Sequence, residues 1–331
     1  MRCVFNAILL WIFLSITFSP DSRAEKLPLF PGVPEAMNKI YSGDLEGATS
    51  EARRLQQEHP EHPIGYLLEA EAVWWKIWCT SAEFKYGMTF ARHRAKLASD
   101  KPYFDLAAKV SALADAQVRQ RETAEMHFYA GMGDALAARL YSLRGENRNT
   151  ARSGVRGREH FLRAVALDPE LADADFGLGL YNYYVDTLSA IARVLRFFMG
   201  IPGGSKQDGI RQLQHAISEG VLVPSEARFY LALNLHNYDQ QYERALEIIT
   251  PLAEKYPSNP LFQVARGDLL AKLGRREPAA ECYRAAADLP APDPECRRHI
   301  EALVHASLAA IGVMEKTDDQ TSPHAAAAFA H

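Results

Sequence analysis

Apolar residues recur at intervals of three and four along most of this chain, and one version of the pattern appears several times. Ala245, Ile249 and Leu252 stand at offsets 0, 4 and 7, with Pro257 at offset 12. Ala48, Ala52, Leu55 and Pro60 repeat those offsets, as do Gly157, Phe161, Ala164 and Pro169. Ala279, Tyr283 and Ala286 begin the pattern again 34 residues after Ala245. Spacing of this kind predicts helices with one buried face. The order of residues predicts how they pair: a small side chain lets two helices cross closely, a large one fills the space beside it, and proline ends the second helix.

The pattern divides the chain into elements. A first pair starts near Glu35 and turns at Gly43-Asp44, and an apolar helix follows from His62 to Cys79, carrying Trp74, Trp75 and Trp78 near its end. Helical periodicity continues from Phe84 to Gln120 without a repeat phase, and no run of alternating apolar residues predicts a strand. A helix from about Ala124 to Leu143 precedes the Gly157 repeat, and Gly145 to Thr150 reads as an insertion between them. The next pair is irregular. Its first helix, with Gly177, Gly179 and Tyr181, leads into an extra apolar helix from Leu188 to Met199 before the Pro202-Gly203-Gly204 turn. Two regular pairs follow, and a helix from about Pro294 to Val313 is placed to cap the stack.

The 34-residue spacing, the small-large-small-proline order and Gly267, 12 residues before Ala279, resemble the tetratricopeptide-repeat family. The match is clearest over 157–288. The resemblance implies an all-α fold: an α-solenoid of antiparallel helix pairs over 35–314, with one extra apolar helix in its middle. It also implies that first helices line a concave groove. On that basis Tyr181, Tyr184, Arg228, Asn234, His236 and Tyr238 are expected to contact a protein or peptide partner, because Tyr and Arg combine large contact area with polar tips.

The ends of the chain change the picture of where it works. Arg2 precedes an apolar run from Val4 to Phe18, and Ser22-Arg23-Ala24 supplies small residues at the two positions that signal peptidase reads. Residues 1–24 are therefore expected to be a cleaved signal and the protein to be periplasmic or secreted. The run is shorter than the ~20 residues a membrane span requires. Residues 25–34 form a Pro-rich lead-in, and 315–331 are expected to be a disordered tail. With 48% hydrophobic and 24% charged residues the chain has ample material for a core, and a net charge of −4 makes it a poor nucleic-acid binder. Beyond the signal, Cys282 and Cys296 could pair across neighbouring helices with Cys79 left free, or all three could be buried thiols.

Candidate chemistry is sparse. Gly200 to Lys206 looks like a phosphate loop, but Ser205 and Gln207 stand where Gly and Ser/Thr are needed, and Ser205 with Asp208 reads as a helix cap. Asp173 is expected to help start the helix that follows it, and His59 and His62 to flank an exposed turn. No catalytic, cofactor or metal-ligating set is visible, so no enzyme activity is expected. Arg148, Arg152, Arg156 and Arg163 form a basic stripe, with Glu159 in reach of Arg156 and Arg163. In the helix 188–199, Arg193 and Arg196 lie on a narrow polar stripe. They either reach a groove inside the stack or contact lipid phosphates at a membrane surface. The expected function is a non-catalytic exported scaffold. The alternative is a carrier of a lipid or other apolar molecule, held between 188–199 and the Trp74–Trp78 segment.

Overall fold

The computed structural model describes residues 26–313 except 86, 92, 93, 189–195 and 197–199. The expected signal segment, the tail, Arg193 and nearly all of the extra apolar helix lie outside the described residues. The described residues form an all-α solenoid of thirteen helices with one small hairpin. The helices are α1 (Val33–Ser42), α2 (Leu45–Glu58), α3 (Ile64–Ser81), α4 (Asp100–Gln120), α5 (Ala124–Arg144), α6 (Asn147–Leu167) and α7 (Ala174–Asp186). After the interrupted segment come α8 (Lys206–Glu219), α9 (Pro224–Asn237), α10 (Tyr242–Lys255), α11 (Pro260–Lys272), α12 (Arg276–Asp288) and α13 (Pro294–Ala310).

Consecutive helices pack against one another along the chain, as the repeated offsets predict. Ala48, Ala52, Ala164, Ala245, Ala279 and Ala286 are fully buried at the crossings. The glycines belong to the same packing. A Cβ on Gly267 would sit 2.6 Å from the Tyr283 ring, and one on Gly177 would sit 1.9 Å from the Phe161 ring, so only a bare backbone lets those rings fill the gap. Enlarging Ala245 or Ala279 to Leu should therefore overpack a crossing and lower stability by ~1–3 kcal/mol, read as a lower denaturant midpoint at unchanged slope. An unaltered midpoint in both variants would contradict this packing.

The second helices behave as surface helices. In α10 only Ala245, Ile249, Leu252 and Ala253 are buried. The first helices α9 and α11 are buried on more than one side, which an open solenoid would not produce. The cause is α3. Its sequence is apolar all round, and fifteen of its eighteen residues are buried. Trp75 packs on Tyr41, Phe229 and Phe262, Trp78 on Phe229, and Trp74 on Tyr103, at ring-centroid distances of 4.9–6.1 Å. Thus α3 meets α1, α4, α9 and α11 at once, and it fills the inner side of the curved stack as an axial helix.

The first and last of the described helices both pack on this axis. The C-terminal α13 covers α12 as a cap should, but it also packs on α3. Cys79 of α3 and Cys296 of α13 form a disulfide with Cα atoms 5.5 Å apart. This corrects both readings of the cysteines, since Cys282 is the free, buried thiol. Side-chain bonds also tie the end of α1 to the start of α11: Asn259 Nδ2 donates to the Tyr41 carbonyl at 2.9 Å and Ser258 Oγ to the Ser42 carbonyl at 2.9 Å.

Three further expectations are corrected. Residues 82–91 are a hairpin, not helix: β1 (Ala82–Lys85) pairs antiparallel with β2 (Met88–Ala91), with Gly87 at φ 74° in the turn. Its strands pack on α3, α11 and α13, and the buried Thr89 N–H donates to Asp268 Oδ2 at 2.7 Å. Gly145 to Thr150 is not an insertion, because Gly145 at φ 76° ends α5 and α6 begins at Asn147. Asp173 makes no side-chain cap on α7; its buried carboxylate accepts the backbone N–H groups of Val221, Leu222 and Val223 at 2.8–3.1 Å, at the start of α9.

Candidate interaction surface

The C-terminal ends of α7 and α9 lie side by side, and three tyrosines meet there. Tyr183, Tyr184 and Tyr238 have rings 5.9–6.1 Å apart in edge-on contacts. Tyr183 is fully buried, and its hydroxyl directs its one proton between the Asn234 carbonyl at 3.0 Å and Asp239 Oδ2 at 2.8 Å. Lys206, from the start of α8, pairs with Asp239 Oδ1 and holds its ammonium 5.4 Å from the Tyr183 ring. The anchored Tyr183 thus orients the other two rings. Tyr238 is 54% exposed, and Leu188, just beyond α7, is also exposed.

The expected groove residues divide into three places. Tyr184, Asn234 and Tyr238 share this corner, with Asn234 only 2% exposed beneath it. Tyr181 and Arg196 converge elsewhere, because the Tyr181 hydroxyl and Arg196 Nη1 each donate to the Pro202 carbonyl at 2.9 Å. Arg158 lies 5.3 Å over the Tyr181 ring. Arg228 and His236 look toward neighbouring helices instead. Arg228 Nη1 reaches the Ile248 carbonyl of α10 at 3.4 Å, and burial lowers its pKa. His236 is 2% exposed with its ring 5.6 Å from Tyr242, and burial, helped by Lys272, holds its pKa down to about 4. Asn234 and His236 are therefore core residues of the α9 packing.

Sequence reasoning missed the polar cluster that seats the axial helix. Arg139 of α5 donates from Nη2 to Glu71 Oε1 of α3 at 2.8 Å, from Nε to the Tyr103 hydroxyl at 2.7 Å, and from Nη1 to Glu226 of α9. Its guanidinium stacks 4.4 Å from the Trp74 ring. Burial first, and the Glu71 charge second, push Glu226 up to about 8, and burial raises Glu71 as well. With both carboxylates ionised, Glu71 Oε2 has no donor; a proton on Glu226 supplies one. The cluster then carries one cation, one anion and one neutral acid, a balanced set that a buried site tolerates. The available signal was Glu69 and Glu71 in the middle of an otherwise apolar helix, since buried carboxylates require partners.

Other expected features take different partners. In the basic stripe Arg156 binds Asp134 and Arg163 binds Glu122 at 2.7 Å, so neither turns to Glu159. His59 and His62 are half-buried, stacked at 3.9 Å and edge-on at 4.8 Å against Phe30. Ser205 accepts the Asp208 N–H at 3.3 Å and caps α8, as expected. The Trp side of the expected carrier pocket is filled by protein rings. A cleft of about 610 Å³ opens instead between α2, α3 and the Pro292-Asp293 turn, where Arg53 pairs with Glu69 and Lys76 with Asp293. Among the described residues no helix is long and apolar enough to cross a membrane.

The fold defines the class: an all-α helical-repeat solenoid closed around an axial helix. No protein-family model matches the chain, and no curated protein does.

Proposed function

We propose that the chain is an exported, tetratricopeptide-like scaffold that binds a protein or peptide segment without catalysis. The partner would meet the tyrosine corner at the ends of α7 and α9. The observation that carries this reading is the exposed Tyr238 ring, held beside Tyr184 by the anchored Tyr183. A rigid aromatic offered to solvent supplies contact area with little loss of side-chain freedom, which suits a binding anchor. The axial helix favours a shallow rim site over a deep groove, because α3 already occupies the inner side of α9 and α11. The Cys79–Cys296 disulfide favours export, since such bonds persist in oxidising compartments.

Crosslinking in the native envelope followed by mass spectrometry identifies what the chain holds. Tyr238→Ala should then reduce capture of that partner about tenfold with melting unchanged, as expected for an exposed anchor. Capture equal to the parent chain would remove the tyrosine corner from consideration. The export reading is separable: osmotic shock should release a soluble chain beginning at Glu25, and intact Met1 protein in the membrane pellet would contradict it.

A further inference from the structure

The basic stripe of the sequence stands on the outside of the fold. Only Ser153, Gly157, Phe161 and Ala164 of the 21 residues of α6 are buried, so the helix forms a ridge. It carries five arginines and one glutamate, a net charge of +4 in a chain whose total is −4. Arg156 and Arg163 are neutralised by Asp134 and Glu122. Arg148 and Arg152, one turn apart in the N-terminal half, are exposed and pair with no carboxylate among the described residues. Arg94 joins them. It is exposed, pairs with no carboxylate among the described residues, and its Nε lies 3.4 Å from where a Cβ on Gly145 would stand, at the turn just before α6.

Apolar groups complete the ridge. Leu162 and Leu167 are each 39% exposed, two of the four large apolar side chains exposed among the described residues. At about 100° per residue, Leu162 falls roughly 40° from Arg148 and 80° from Arg152, on the side of the helix away from its buried row. The outer face therefore passes from unpaired guanidinium groups to exposed leucines along the ~30 Å of the helix.

That combination selects the partner. Unpaired guanidinium groups call for phosphate or carboxylate oxygens, and exposed leucines beside them call for an apolar phase that a soluble anion does not offer. A ridge presents a single row of side chains to a peptide, but it lies flush on a flat bilayer, where arginines meet headgroup phosphates and leucines enter the acyl boundary. The negative total charge of the chain does not oppose this contact. At physiological salt, charges more than a Debye length of ~8 Å from the surface are screened, so the membrane senses the facing helix.

We propose that the outer face of α6 is a docking surface for an anionic phospholipid bilayer. Arg94, Arg148 and Arg152 hold the chain reversibly on the headgroups, with Leu162 and Leu167 seated at the interface. None of these residues belongs to the tyrosine corner, so membrane attachment and partner capture can fail separately. The sequence showed the stripe but not which of its arginines are free, because Asp134 and Glu122 reach it from α5 and from the α4–α5 turn.

The test is flotation of the chain from Glu25 onward, disulfide intact, with vesicles of phosphatidylcholine and phosphatidylglycerol in a ratio of about 7:3, beside vesicles of phosphatidylcholine alone. The chain should float only with the anionic vesicles, and raising NaCl from about 0.05 to 0.5 M should release it. Arg148→Gln with Arg152→Gln should lower the partition coefficient ~30-fold, and Leu162→Ser with Leu167→Ser at least ~5-fold, both with melting unchanged because the altered side chains are exposed. Tyr238→Ala should float as the parent does. Flotation unchanged in either α6 variant, or lost instead in Tyr238→Ala, would place the contact elsewhere and overturn the proposal. Retention of the chain by polyglutamate with no flotation on anionic vesicles would assign the ridge to an acidic protein and would overturn it as well.

Discussion

Replacing Cys79 and Cys296 together with alanine is expected to lower stability by about 5 kcal/mol, or about 8 °C in melting temperature for a chain of this size. The two cysteines are 217 residues apart, so the bond closes most of the chain into one loop and removes a large part of the unfolded state's freedom. Both are 1% exposed, so a reducing agent should act only as the protein opens. The expected course is slow loss of stability under thiol reductant, converging on the value of the double variant. The effect should be localised as well as large. Without the bridge, α13 retains its packing on α12 but is tied to α3 only by apolar contacts and the part-exposed Lys76–Asp293 ion pair at its start, so amide exchange should rise first in α13 and the hairpin. Denaturant midpoints identical with and without reductant would contradict this account.

The second large effect concerns Arg139. Replacing it with methionine keeps the bulk beside Trp74 but strands Glu71 and Glu226 in the core without a cation. Breaking a buried ionic cluster from one side costs about 3–5 kcal/mol. The same cluster predicts how stability depends on pH. Glu226 is raised to about 8 in the folded chain, against an ordinary value near 4.5, so the folded state keeps a proton that the unfolded chain has lost. The contribution is fully present below pH 4.5 and is lost as pH rises toward 8, with an upper magnitude of roughly 5 kcal/mol. Glu226→Gln mimics the protonated acid and should flatten that part of the stability profile, making the variant more stable than the parent at pH 8–9. Equal slopes for parent and variant between pH 5 and 8 would show that Glu226 does not hold the proton.

Both predictions arise from the axial position of α3, and that position marks the boundary of what the sequence could say. The helix pairs were legible because each depends on residues close in the chain: Ala245 with Ile249 and Leu252, Ala279 with Tyr283 and Ala286, and the glycine twelve residues earlier. An amphipathic stripe reports which face of a helix is buried, and Gly43-Asp44 and Ser205 report where helices end or begin. The apolar run from His62 to Cys79 likewise announced a helix. None of these signals names what buries it. Periodicity is local, whereas the partners of α3 come from α1, α4, α5, α9, α11 and α13.

The same reason explains the errors. The 82–91 hairpin has four residues in each strand, too few for alternation to stand out beside long helices, and it is held in place by distant groups such as Asp268. Cys79 was read as isolated because its partner lies at the far end of the chain. Asn234 and His236 were assigned to an open groove because first helices line one in a simple stack, yet their side chains are buried in the packing around α9. By itself, then, the sequence determined the helices, their pairing and their repeat, since those follow from side-chain size and spacing within about forty residues. Only the tertiary structure decided that the stack closes on its own axial helix, that Glu71, Arg139 and Glu226 share one buried site, and that Cys79 meets Cys296. Those outcomes depend on the curvature accumulated over many helix crossings, which no short stretch of residues encodes.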